Sequence, residues 1–346
     1  MGNIEAGDAI RTTPPVPADA MLMTQMAAGF QISQALYVVA KLNVATQLAS
    51  GPRSVERLAK ETGADESALR RLLRALAPLG LFRHVEDTVE VTPFGELLSA
   101  THPASLRDAA MMWMETHYEP FSELLGTVKT GEPAADIYFG KPFFEWLSED
   151  PKRFSLFSGA MANVTGNLRS SVFDGYELPE GKTVADIGGS DGAVMAELLS
   201  RDTDRRGIVF DLPHVVSDAH EVLSVRGLAD RVEVVGGDFF DGVPAADVYV
   251  LSYILHDWDD ASCGKILGSI ARAANPGARL VVIEAVLPED DEPHFAKMID
   301  LTMLAMMTGR ERTAKEYEQL LENSGFTLDR ILPTASPFSV IEAKLR

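Results

Sequence analysis

Between Ala20 and Ala49 the apolar positions Leu22, Met26, Phe30, Ala35, Leu36, Val39 and Leu42 recur with a helical period, until Gly51-Pro52 breaks the run. That spacing predicts long buried helices. A different pattern occupies residues 53–99. Ser54 is placed to cap a short helix through Leu58-Ala59, and Gly63 permits the turn after it. A second helix is expected over Glu66 to Leu79, with Leu69, Leu72, Leu73, Leu76 and Leu79 facing inward. Leu81–Val85 and Thr88–Val91 then alternate as two short strands around Glu86-Asp87. Two helices followed by such a hairpin form a winged helix. Residues 100–178 read as helical and aromatic-rich, with Phe154, Phe157 and Met161 on one helix face.

From Thr183 onward strands alternate with helices. Strands are expected at Thr183–Ile187, Ile208–Asp211, Arg231–Val235, Asp247–Ser252 and Ala278–Glu284, with a final pair at Thr327–Ile331 and Phe338–Lys344. This order predicts an α/β fold, a doubly wound, mostly parallel seven-stranded sheet whose last strand is antiparallel. The domain reading is a flexible leader over 1–18, a winged-helix domain over 19–100, a helical linker lining the substrate over 101–178, and the α/β domain over 179–346.

The composition, 46% hydrophobic and 24% charged over 346 residues, excludes a disordered or collagen-like chain. Net charge is −20, which disfavours polyanionic partners, so neither nucleic acid nor a membrane is expected. The winged-helix segment is locally basic, with seven basic against four acidic residues between Arg53 and Arg83, including Arg70, Arg71 and Arg74. A DNA-binding regulator is therefore the alternative to set against an enzyme. A single cysteine, Cys263, no apolar run long enough to span a bilayer and no signal-like N-terminus predict a cytoplasmic protein.

The candidate chemistry lies where strands end. The first strand runs into Gly188-Gly189-Ser190-Asp191-Gly192, whose glycines let the backbone turn sharply beneath a ligand. Neither a P-loop lysine nor a G-x-G-x-x-G pattern is present, so triphosphates and dinucleotides are poor candidates. Asp211 ends the second strand, where a carboxylate can accept both hydroxyls of a ribose. Asp238 and Phe239 follow the third, suited to an adenine amino group and ring face. Leu255–Asp260 follows the fourth strand at the same rim, the ligand edge of open α/β sheets.

Five segments in order, Asp186–Gly192, Phe210–Pro213, Gly237–Phe239, Leu255–Trp258 and Gly309–Thr313, resemble the S-adenosylmethionine-dependent O-methyltransferases of the plant caffeate and hydroxyindole type, with their bacterial natural-product relatives. The resemblance extends over about residues 20–346. It implies a Rossmann-like class I methyltransferase domain and a homodimer formed through the winged-helix domain. It also implies S-adenosylmethionine as cofactor, S-adenosylhomocysteine as product, and no metal. Gly188, Asp211, Asp238 and Phe239 become cofactor contacts, as does Ser252, where the family commonly has lysine; Ser190 stands where a third glycine is common.

By the same resemblance His256 is the general base, flanked by Glu284 and Glu311. An imidazole near 6.5 taking a proton from a phenol near 10 faces a gap of roughly 5 kcal/mol, which a desolvated cationic site would narrow. One ring nitrogen held as donor leaves the other to accept, so a neutral imidazole is expected. Phe157, Met161, Met303 and Met307, with Met298 and Met306, offer soft walls for a small aromatic substrate. The expected reaction is methylation of an aromatic hydroxyl of a small natural product. The alternative within the fold is a cofactor-binding relative that promotes hydroxylation.

Overall fold

The computed structural model describes residues 18–169 and 171–346; the expected leader lies almost wholly outside them. The chain divides into two compact units at Met114/Glu115.

In the first unit, α1 (Ala18–Ala27), α2 (Phe30–Lys41) and α3 (Val44–Leu48) are followed by strand β1 (Arg53–Ser54). Helices α4 (Val55–Thr62) and α5 (Glu66–Leu76), the hairpin β2 (Phe82–Val85) and β3 (Thr88–Val91), and α6 (Arg107–Met112) complete it. Ser54 accepts from the Arg57 amide and Asp65 from that of Ala68, so each middle helix starts on a side-chain oxygen. Gly63 closes α4 in the left-handed conformation. Val39, Leu58, Leu73, Leu76 and Phe82 are sealed in one core. The wing has a third strand that the sequence pattern did not reveal, because β1 contributes only Arg53 and Ser54, opposite Val89 and Thr88.

The expectation of buried helices from Ala20 holds only from the second half of α2 onward: Phe30 at its start is itself more than half exposed, while Val39 and Ala40 are buried. No residue of α1 is buried, and Leu22, Met23 and Met26 are all more than half exposed. A stripe with helical period reports that a face is apolar, not which chain covers it.

The second unit opens with α7 (Leu124–Thr130), α8 (Ala134–Phe139), α9 (Phe143–Ser148) and α10 (Pro151–Arg169). The sheet and its helices follow: β4 (Thr183–Ile187), α11 (Ala193–Ser200), β5 (Arg206–Asp211), α12 (Ala219–Val225), β6 (Val232–Gly236), β7 (Val248–Ser252), α13 (Asp260–Ala273), β8 (Arg279–Glu284), α14 (Phe295–Met306), α15 (Ala314–Asn323), β9 (Phe326–Pro333) and β10 (Ser339–Leu345). The seven strands lie in the order β6-β5-β4-β7-β8-β10-β9. The first five pair in parallel, while β10 runs antiparallel to both β8 and β9. All five residues of β7 are buried, as a parallel strand covered on both faces requires. Two apolar clusters flank the sheet, one holding Met195, Leu199 and Leu223, the other Ile266, Leu267 and Tyr317.

No helix among the described residues is long and apolar enough to cross a membrane. Exposing the methionines and leucine of α1 to water is unfavourable, and a second copy of the chain is the expected cover. Light scattering at micromolar concentration should return about twice the mass of one chain. Replacing Leu22 and Met26 with serine should shift that value toward the monomer.

Candidate active site

The parallel register brings the carboxyl ends of β4, β5, β6 and β7 to one rim. Gly188 sits there at φ +75°, and a Cβ on it would lie 2.3 Å from Ile254 Cδ1, so only glycine fits. The amides of Gly188 and Gly189 both donate to the Phe210 carbonyl, at 2.8 and 3.2 Å. Ser190 adopts φ 47°, a left-handed conformation that glycine would hold without strain, and its amide donates to Asp211 Oδ2 at 2.9 Å. Asp211 also accepts from the Leu212 amide at 2.7 Å, so its carboxylate knits two loops together while keeping further lone pairs. Burial raises its pKa. Asp238 accepts from the Phe240 amide at 2.8 Å. Phe239 stands edge-on to Trp258, centroids 5.9 Å apart.

Beneath this rim several polar atoms are buried without a hydrogen-bond partner among the described residues: both oxygens of Asp186, Ser252 Oγ and the Tyr253 hydroxyl. Burial pushes Asp186 up to about 7. Native interiors seldom leave such groups unsatisfied. At the rim itself the Gly188 cradle and the carboxylates of Asp211 and Asp238 suit a polar adenosyl ligand laid across the strand ends.

His256 lies in a 3₁₀ turn, Leu255–Asp257, just after β7. Its Nδ1 is 2.8 Å from Glu311 Oε1 and 3.8 Å from Glu284 Oε2, and its Nε2 is 3.4 Å from Asp257 Oδ1. Both glutamates are buried. Burial opposes the imidazolium, but Glu284, then Asp257 and Glu311, outweigh it and raise His256 to about 10. The carboxylates around it therefore give this ring a higher proton affinity than a free imidazole has. Burial also raises Glu284 to about 7, and raises Asp257.

Glu284 does more than face the ring. Its Oε1 accepts from the amides of Ile254, Leu255 and His256, at 3.0, 2.8 and 3.4 Å. These contacts hold a turn whose preceding residue, Tyr253, is left-handed at φ 57°. Glu311 is held by Asp300, whose Oδ1 accepts its amide at 3.0 Å. Glu311 does not pair with its neighbouring arginines. Arg310 instead pairs with Asp260 and Glu316, and Arg312 with Asp260.

The expected wall residues divide. Phe157 and Met307 pack on one cluster with Phe143, Leu147 and Met306. Met303 is buried in the last turn of α14, which Met307 caps in an extended conformation, and Met161 is half-buried one turn beyond Phe157. Met298 departs from this set, being 65% exposed. Phe154 places α10 beside the loop after Asp211, 6.4 Å from the His214 ring.

Sequence reasoning assigned no role to Asp257, Asp300 or Arg312, nor to His117. The last is stacked on Phe157 with centroids 6.5 Å apart, and burial drives it down to about 3. Adjacency to His256 was the only signal for Asp257; the others depend on packing between distant segments. His256, Glu284 and Glu311 also bring ligand atoms within 4.8 Å of one another, a spacing that could hold a metal ion.

Residues 121–327 match the O-methyltransferase domain family, and residues 24–101 the O-methyltransferase dimerisation domain. Among curated proteins, a phenazine O-methyltransferase of Lysobacter antibioticus is 41% identical over 95% of this chain and 97% of its own. A mitomycin biosynthesis 6-O-methyltransferase of Streptomyces lavendulae is 37% identical over 90% of each chain. The crystal structure of human N-acetylserotonin methyltransferase in complex with S-adenosylmethionine superposes with a TM-score of 0.86, at 28% identity, over 96% of this chain and 99% of that one. On these matches and this geometry, the chain belongs to the O-methyltransferase family.

Proposed function

We propose that the protein transfers a methyl group from S-adenosylmethionine to the hydroxyl of a small aromatic natural product, with His256 as the proton acceptor. The observation that carries this reading is the buried set around His256, in which Nδ1 meets Glu311 at 2.8 Å and Glu284 stands behind. The relatives named above, which act in phenazine and mitomycin biosynthesis, support the acceptor class. Residues 19–100 serve dimerisation, 101–178 line the acceptor and 179–346 hold the cofactor.

When bound, S-adenosylmethionine supplies an electrophilic methyl group and leaves as S-adenosylhomocysteine. Gly188 lets the backbone approach it, Asp211 takes the ribose hydroxyls, Asp238 and Phe239 take the adenine, and Ser252 offers a free hydroxyl at the same rim. Phe157, Met161, Met303 and Met307 hold the acceptor ring. His256 must first lose its resting proton. It then takes the acceptor's proton on Nε2, while Glu311 and Glu284 stabilise the imidazolium. The carboxylates that raise His256 ease the transfer itself, while releasing a proton already on the ring to solvent near neutral pH costs about as much as that raise gains. A DNA-binding reading finds less support, since Arg70 is paired with Glu66 at 2.6 Å and the chain carries a net charge of −20.

His256→Ala should lower kcat by about 100-fold or more with S-adenosylhomocysteine affinity near wild type. The assay is label transfer from S-adenosylmethionine to a pool of hydroxylated phenazines, naphthoates, hydroquinones and indoles, read by mass spectrometry; undiminished transfer would remove His256 as base. The pH profile has a definite sign. An imidazolium cannot accept a proton, so the rate should rise with pH through neutrality and level off near the raised His256 value. Glu311→Gln removes a negative charge that stabilises the imidazolium, so the inflection should move to lower pH. Asp211→Ala should weaken S-adenosylhomocysteine binding at least tenfold by calorimetry, about 1.4 kcal/mol; an unchanged affinity would place the ribose elsewhere.

A further inference from the structure

Among the largest side chains fully buried in the protein is a charged one, Arg312. Its Nη1 donates to the Leu255 carbonyl at 2.8 Å, and its Nη2 to the Trp258 carbonyl at 2.9 Å. These two carbonyls bracket His256 in sequence. Asp260 Oδ1 accepts from Nε and Nη2 at 3.0 and 2.8 Å, which fixes the guanidinium plane. Burying a cation is costly unless its donors are matched, and this one has a carboxylate and two carbonyls of one turn as partners.

The same turn is held from its other side by Glu284, which takes three of its amides. Gly309 closes the frame: a Cβ there would lie 2.0 Å from the His256 carbonyl oxygen, so the Gly309–Arg312 backbone lies directly against the turn. A left-handed Tyr253 leads into it. The turn that carries the imidazole is therefore gripped by a carboxylate on its amides and a guanidinium on its carbonyls. Glu311, the residue before Arg312, grips the ring itself.

We propose that Arg312 is a positioning residue for methyl transfer, setting the angle at which His256 meets Glu311 and the acceptor through its hold on the Leu255 and Trp258 carbonyls. The inference rests on the reading of His256 as base. Lysine at position 312 keeps the charge but cannot span two carbonyls and a carboxylate with one planar fork. Asp260→Asn is the milder variant, since Asp260 is largely exposed and its change loosens the Arg312 guanidinium, together with the exposed Arg310 pair, without removing the arginine.

The test compares Arg312→Lys and Asp260→Asn, each in the wild-type and the His256→Ala background. Label transfer from S-adenosylmethionine to the pooled hydroxylated aromatics is the first readout. The ¹⁵N signals of the His256 ring, assigned by their loss in His256→Ala, are the second. Arg312→Lys should lower kcat by about 10- to 100-fold in the wild-type background and by less than about twofold in the His256→Ala background. Asp260→Asn should show the same pattern at a smaller amplitude. The Nδ1 signal should move in both variants, with S-adenosylhomocysteine affinity held within about twofold.

Equal losses in the two backgrounds, or an unmoved Nδ1 signal alongside a lowered melting temperature, would overturn the proposal and leave Arg312 as a stabilising residue only. If Arg312→Lys does not fold, the Asp260→Asn pair decides the matter by the same criteria. Unchanged transfer in His256→Ala alone would sink the base assignment, while the ring signal would still report whether Arg312 sets the turn.

Discussion

One imidazole enclosed by three carboxylates is the constraint around which the rest of the site is arranged. Glu284, Glu311 and Asp257 all approach the His256 ring, and the ring is largely withdrawn from water. So much negative charge is costly in the interior, and it is relieved from both sides: the carboxylates raise the proton affinity of the ring, and burial raises that of Glu284 and Asp257. The proton affinity of His256 is thus a property of the cluster, with contributions from the end of β7, the end of β8 and the segment before α15. The same demand explains why Asp300 and Asp260 hold the flanking segment in place.

The framework supports this arrangement by ordinary means. Parallel strands buried on both faces fix where β7 and β8 end, and so where Ser252 and Glu284 stand. Glycines at 188 and 309 permit backbone contacts that a side chain would block. The left-handed residues Ser190 and Tyr253 then turn the chain at the rim, each next to a loop held by a carboxylate, Asp211 in one case and Glu284 in the other. Strain is retained at the edge that meets the ligand, and hydrogen bonds keep it there.

Much of this was legible in the amino-acid sequence. Apolar runs such as Val248–Leu251 and Leu280–Ile283 mark buried strands, the order of strands and helices gives the sheet, and the glycine-rich turn marks its ligand edge. The partners of His256 were also recognisable by their motifs. Its raised proton affinity was not, because it depends on the summed field of three groups whose distances only the folded chain defines. Nor was Arg312 legible, since its use depends on carbonyls of a turn more than fifty residues earlier. The exposure of α1 escaped for a simpler reason: periodicity marks an apolar face without saying what covers it.

Cys263 lies directly beneath the turn that carries His256. Its thiol, raised to about 12 by burial, donates to the carbonyls of Leu255 and Trp258, the same pair that Arg312 holds. As the sole cysteine of the chain, it gives the protein an internal gauge of its own loop opening. A thiol reagent can reach that sulfur only when the packing around it opens, and the His256 segment is part of that packing, so the labelling rate reports on local opening there.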